Sequence, residues 1–188
     1  MKRFAGAILV ILVVCCAVSL ARRLGWAAHR KKQIATVIRM RVVDDVVNRQ
    51  LADGVTLAIP VWPGEVPVRS LPLSNSAAMA NQVVDGWGHD MLISWFSGCQ
   101  ELADGQTVAK SIAPALPRKS DQLVRCLRIR SGGRDGVFES NPSDSFEMIC
   151  DFDADLILEG DVFLKAAQDI EIGFCPHVPW WAFWRLAA

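Results

Sequence analysis

Residues 4–21 form a run without a single charged side chain, bracketed by Lys2 and Arg3 on one side and by Arg22 and Arg23 on the other. About 18 residues of helix at about 1.5 Å each reach roughly 27 Å, close to the hydrocarbon thickness of a bilayer. A helix that is apolar on every side has no polar face to offer water, so this segment predicts a membrane anchor. A cleaved signal peptide is the rival, because Ser19 and Ala21 hold the small-residue positions of a cut after Ala21. An uncleaved, single-pass anchor is the expectation. The bases that follow the run (Arg22, Arg23, Arg30, Lys31, Lys32) outnumber those before it. By the positive-inside rule that puts the remainder of the chain in the cytoplasm.

In a chain of 188 residues such an anchor leaves room for one ordinary domain. The reading is an anchor or signal-like segment at 1–26, a domain at 27–160 and an aromatic-rich tail at 161–188. Bases and acids balance at 20 each, without the basic excess of a nucleic-acid reader, and no nucleic-acid partner is expected. Cys15 and Cys16 lie inside the apolar run. Cys99, Cys126, Cys150 and Cys175 contain no C-x-x-C pair, which argues against zinc. In an oxidising space these four allow two disulfides in three connectivities; in the cytoplasm they are buried thiols.

Residues 27–52 contain neither proline nor glycine, and Ile34, Val37, Ile38, Val42, Val46 and Val47 recur at spacings of three and four. That predicts an amphipathic helix continuing the anchor, with Gly25 as a weak point and Asp53-Gly54 as its stop. Four prolines between 59 and 73 predict an irregular crossing. A short helix is expected at 76–84, capped by Ser74 or Asn75. Strands are expected at 91–96, 123–129, 146–152 and 155–158, with a polar excursion at 100–120 and a glycine-rich loop at 131–144. The fold class is α+β: a long N-terminal helix, transmembrane then amphipathic, packed on a small antiparallel sheet.

Two stretches carry more information than composition. Asp85-Gly86-Trp87-Gly88-His89 immediately precedes a strand and resembles the D-P-W-G-N-P-Y segment of the major pseudopilins of bacterial type II secretion. Ser131-Gly132-Gly133-Arg134-Asp135-Gly136 follows a strand and resembles the S-x-G-x-D-G loop of the same family, which binds calcium there. The order of elements from residue 34 to 158 is similar as well. The resemblance implies a structural role for Asp85, Trp87, Gly88, Ser131 and Gly136. It also implies Ca²⁺ held by Asp135 together with downstream acids. Two registers compete for the latter, one on Asp144 and the other on Asp153 and Asp155. From the residues themselves, Trp87 reads as a core pin, Asp85 as a cap for nearby amides, and the glycines as permitting a loop that turns back on itself. The chain departs from the family in lacking a G-F-T-L-x-E processing site and any glutamate within the apolar run.

The expected function is that of a membrane-anchored structural or assembly protein acting through protein contacts. Its implied partners are the membrane, other secretion or pilin-like proteins, and copies of itself. The family places such a domain in the periplasm, tethered to the bacterial inner membrane, against the positive-inside reading. An enzyme is not expected: His29, His89 and His177 lack metal-ligand spacing, and G-x-S-x-G, H-E-x-x-H and P-loop motifs are missing. The alternatives are a secreted or periplasmic disulfide-stapled binding domain and a metal-dependent hydrolase built on Asp151, Asp153 and Asp155. The tail clusters Trp180, Trp181, Phe183 and Trp184 beside Arg185. Such a cluster suits a bilayer interface, a partner groove or the domain's own core.

Overall fold

A computed structural model describes residues 2–73, 79, 81–109, 118–139, 147–149 and 152–167. Helix α1 (Lys2–Ala52) is continuous and passes through Gly25 without a break. It stops where expected: Gly54 takes φ +80°, and the Val55 amide donates to the Gln50 carbonyl (2.9 Å). Among the described residues seven strands make one sheet: β1 (Val66–Pro67), β2 (Leu92–Leu102), β3 (Thr107–Ala109), β4 (Arg118–Ser131), β5 (Glu147–Ile149), β6 (Leu156–Glu159) and β7 (Val162–Ala167). The order is β1-β2-β4-β6-β7-β5, with β3 paired to β2. This is an α+β fold, one long helix on a mainly antiparallel sheet.

The helix changes character along its length. Leu12, Val13, Val14, Leu20 and Leu24 are each more than half exposed, whereas Gln33, Thr36, Met40, Val43, Asp44, Val47 and Gln50 are buried. Met40, Val43 and Val47 pack on Met91, Ile93, Leu127, Ile129, Leu156 and Leu158 from the sheet. Burying these side chains is worth about 1.5–3 kcal/mol each before entropy is counted. The expected stripe holds in its upper part: Val47 is buried and Val37, Val42 and Val46 pack against the core. Ile34 and Ile38 are 43% and 57% exposed, because the polar Gln33 and Thr36 take the inward positions one turn below Met40.

Several boundaries are corrected. The crossing at 59–73 is irregular but supplies edge strand β1, and Ile59, Val68, Leu71 and Leu73 join the core. The strand expected at 91–96 runs on to Leu102. Part of the expected excursion is therefore a hairpin, with Gln100 paired to Val108 and again to Leu123 on β4. β5 pairs with β7 in parallel, so the sheet is not wholly antiparallel. β7 lies beyond residue 160 and belongs to the sheet, which moves the domain boundary past Ala167. Met79 is helical and 81–82 form a turn; the rest of the expected helix up to residue 80, Cys150, Asp151, Cys175 and the aromatic tail lie outside the described residues. Cys99 and Cys126 form a disulfide linking β2 to β4.

Candidate functional site

The two loops singled out in the sequence meet. Asp85 is fully buried and its carboxylate organises both of them. Oδ1 accepts the Trp87 and His89 amides (both 2.9 Å), while Oδ2 accepts the Ser131 hydroxyl (2.9 Å). A carboxylate closing its own turn is ordinary Asx chemistry. Here it also ties that turn to the end of β4. His89 Nδ1 lies 3.2 Å from the Gly133 carbonyl, which assigns its proton to Nδ1. Ser131, Gly132 and Gly133 are buried. Gly136 (φ +69°) has no room for a side chain, since a Cβ there would meet the His89 ring at 2.9 Å.

The junction is seated on α1. The Gly86 amide donates to Thr36 Oγ1 (2.8 Å), and Arg39 donates to the carbonyls of Val84 and Asp85 (3.3 and 2.5 Å). A Cβ on Gly86 would collide with the Lys32 carbonyl, so the loop lies directly on the helix backbone. Trp87 is corrected from the core pin expected of it. It is only part-buried, and its indole N–H donates to His29 Nδ1 (3.4 Å). Gly88, with φ +95°, is exposed. Phe152 closes the lower edge, its ring 6.1 Å from Trp26 and 5.4 Å from His29.

The candidate calcium ligands do not come together. Asp153 takes a two-pronged contact from Arg134, Nε to Oδ1 (2.8 Å) and Nη2 to Oδ2 (2.7 Å). Asp155 is buried against Arg130 (2.7 Å) and also accepts the Glu139 amide (3.2 Å). Burial pushes Asp155 above the ordinary carboxylate range, against the pull of Arg130. Asp135 is exposed and accepts the Val137 amide (3.0 Å). Asp144 lies outside the described residues. Among the described residues no group of three His, Cys, Asp or Glu side chains converges. A Ca²⁺ ion wants six to eight oxygens; guanidinium groups hold Asp153 and Asp155, so the register through those two does not fit the ion, while the register through Asp144 lies outside the described residues.

The sequence reading missed Arg130 and Arg134. Their position, one within β4 and one within the glycine loop, was visible, but nothing in the sequence said which carboxylates they would face. Glu65 was missed as well: it reaches Arg130 Nη1 at 3.0 Å from the proline-rich crossing, and burial raises its pKa. Comparisons with protein-family models, with curated proteins and with solved structures find no match for this chain.

Proposed function

We propose that the chain is a single-pass, membrane-anchored structural module of pseudopilin-like architecture that acts through protein contacts and is not an enzyme. The observation that carries this reading is the division of α1. Over residues 12–21 it is apolar and exposed, and its second half is sealed onto the sheet without an intervening break. One helix is long and apolar enough to cross a membrane. The meeting of the two glycine loops at Asp85 and Ser131 supports the likeness of architecture. Exposed Ile34 and Ile38 on the outer side of α1 offer an apolar strip to a neighbouring protein, another pilin-like subunit or a second copy. Asp155 and Glu159 serve as partners for arginines and Asp85 for amides and a hydroxyl, which leaves these three carboxylates engaged in structure.

The Cys99–Cys126 disulfide favours a non-reducing compartment. It therefore favours a periplasmic domain over the cytoplasmic placement that the basic flank suggests. The same observation also favours the second reading, a secreted binding domain released by cleavage after Ala21. Carbonate extraction with mass analysis of the native chain separates them. An intact N-terminus in the carbonate-resistant membrane fraction, with Cys99 and Cys126 blocked to alkylation, is the expected result. A soluble chain beginning at Arg22 would replace the anchor by the secreted reading, and free Cys99 and Cys126 would return the domain to the cytoplasm.

A further inference from the structure

The domain hangs close to the bilayer. With the apolar run ending at Ala21, Trp26 stands about 7.5 Å and His29 about 12 Å further along the helix axis. Phe152 touches both rings, so the lower rim of the domain begins at that height, with no linker to hold it away. The headgroup layer on one side of a bilayer is roughly 5–8 Å deep. The rim therefore rests on its outer edge.

The charge at this rim is one-sided. No acidic residue occurs in α1 before Asp44, whereas Arg22, Arg23, Arg30, Lys31, Lys32, Arg39 and Arg41 all do. Arg23, Lys31 and Lys32 are exposed, and Trp26 is 38% exposed between them. Side chains on a helix tilt toward its N-terminus, which here means back toward the membrane. Lys31 and Lys32 start about 15 and 16.5 Å from Ala21 along the axis, and stems of about 6 Å bring their ammonium groups to roughly 9–10 Å, just above the headgroup layer and within a Debye length of its phosphates. The nearest acid on the rim, Asp153, is already held by Arg134. An amphipathic indole at the apolar boundary, with cations above it, matches an anionic headgroup layer.

We propose that this rim is an anionic-phospholipid contact surface, in which Arg23 takes headgroup phosphate, Lys31 and Lys32 face the phosphates from just above them, and Trp26 sits at the boundary, fixing the domain against the bilayer. The proposal rests on the membrane-anchor reading above. Each cation is worth roughly a fivefold preference for an anionic surface, and salt weakens it by screening.

The test uses the full chain in nanodiscs of phosphatidylcholine alone or with phosphatidylglycerol. Lysines are acylated with a water-soluble reagent and the products mapped by mass spectrometry. Lys119 serves as the internal reference, being exposed and about 40 Å along β4 from Ser131. Acylation of Lys31 and Lys32 relative to Lys119 should fall about tenfold when phosphatidylglycerol is present, and the protection should largely disappear at 1 M salt. The domain of the wild-type chain should melt several degrees higher in the anionic discs, and the R23Q/K31Q/K32Q variant should melt at one temperature in both. Equal labelling in the two lipids would overturn the proposal while leaving the anchor intact. Failure to enter phosphatidylcholine discs at all would instead overturn the anchor. Protection reproduced by inorganic phosphate in neutral discs would show a soluble-anion site and overturn the lipid assignment.

Discussion

The two faces of the sheet are held by different physics. Toward α1, Met91, Ile93, Leu127, Ile129, Leu156 and Leu158 form an aliphatic layer in which no single pair is decisive. On the other face the register places Ser94 beside Arg128, Arg128 beside Glu159, and Arg130 beside Ile157. There Arg128 pairs with Glu159 while its guanidinium lies 4.4 Å from the Trp62 ring centre and 3.9 Å from that of Phe96. Arg130 joins Glu65 to Asp155, with Trp62 and Phe138 each 5.4 Å away. Both arginines are as deeply buried as the leucines behind them. The aliphatic face is non-directional and tolerates exchange; the charged face demands that every partner be present.

Removing one partner separates the two most sharply. Arg130→Ala leaves Asp155 and Glu65 buried without their counter-charge and should cost about 3–5 kcal/mol in a urea melt. Ile129→Ala, its neighbour on the opposite face, should cost about 2–4 kcal/mol through lost transfer energy and a cavity. The distinguishing measurement is the combined Glu65→Met, Arg130→Met and Asp155→Leu change, which replaces every member of the group. It should recover most of the loss, because a buried ionic triad is worth little more than well-packed apolar groups. If the triple variant is no better than Arg130→Ala, the charged face contributes specific bonding that apolar packing cannot replace.

The disulfide staples β2 to β4 across 27 residues. In the chain-entropy account, closing such a loop stabilises by about 3 kcal/mol. Cys99→Ala with Cys126→Ala should lower stability by that amount, and reductant should have no further effect on the variant. A wild-type melt insensitive to reductant would mean that the two strands are held by pairing alone.

Toward the helix, Asp44 is a buried carboxylate that lines a small cavity with Asn48, Arg125 and Asp161. Burial first, then Asp161, pushes its pKa up from 3.8 to about 6; Asp45 adds to this, while Arg41 and Asn48 oppose it. A raised carboxyl pKa means that the folded chain holds the proton more tightly than the unfolded one. Stability from this site is therefore full below about pH 4 and is lost as pH rises through about 6. Asp44→Asn should stabilise by about 2 kcal/mol at pH 7.5 and by almost nothing at pH 4. Equal effects at both values would show that Asp44 does not titrate in this range.

How much of this was legible divides along the same line. The aliphatic face follows from period-two alternation in β4 and from the apolar stripe of α1, of which Ile34 and Ile38 alone turn outward. Apolar spacing cannot reveal that Gln33 and Thr36 are buried by a loop arriving from residue 86. Asp85 could be read as a cap because an Asx turn is local. Its bond to Ser131 could not, since the two are 46 residues apart. The same holds for Arg130 with Glu65, whose side of the sheet depends on how the proline-rich crossing returns. Trp87 was misread because a glycine-flanked tryptophan gives no sign of which surface it covers. As a half-buried ring its loss to alanine should cost only about 1 kcal/mol, well below the 3–5 typical of a fully buried one.

The smallest expected effect concerns the loop at Ser131 to Gly136, whose sequence resembles a calcium loop and whose candidate downstream carboxylates Asp153 and Asp155 are held by arginines. A bound ion would add RT ln(1 + [L]/Kd), about 2.7 kcal/mol at a hundredfold excess over Kd, and would lift the melting temperature accordingly. With Asp153 held by Arg134 and Asp155 by Arg130, a cation would first have to displace a guanidinium already neutralising each carboxylate. Melting curves of the full chain in millimolar calcium and in chelator should therefore coincide. Arg134→Ala sharpens the point: it removes the two-pronged contact from the part-buried Asp153 and should make the curve respond to calcium where the wild type does not. A calcium-dependent rise in the wild type that Asp135→Ala abolishes would mean that the ion competes successfully with the arginines. The charge balance inferred for this side of the sheet would then be incomplete by one cation.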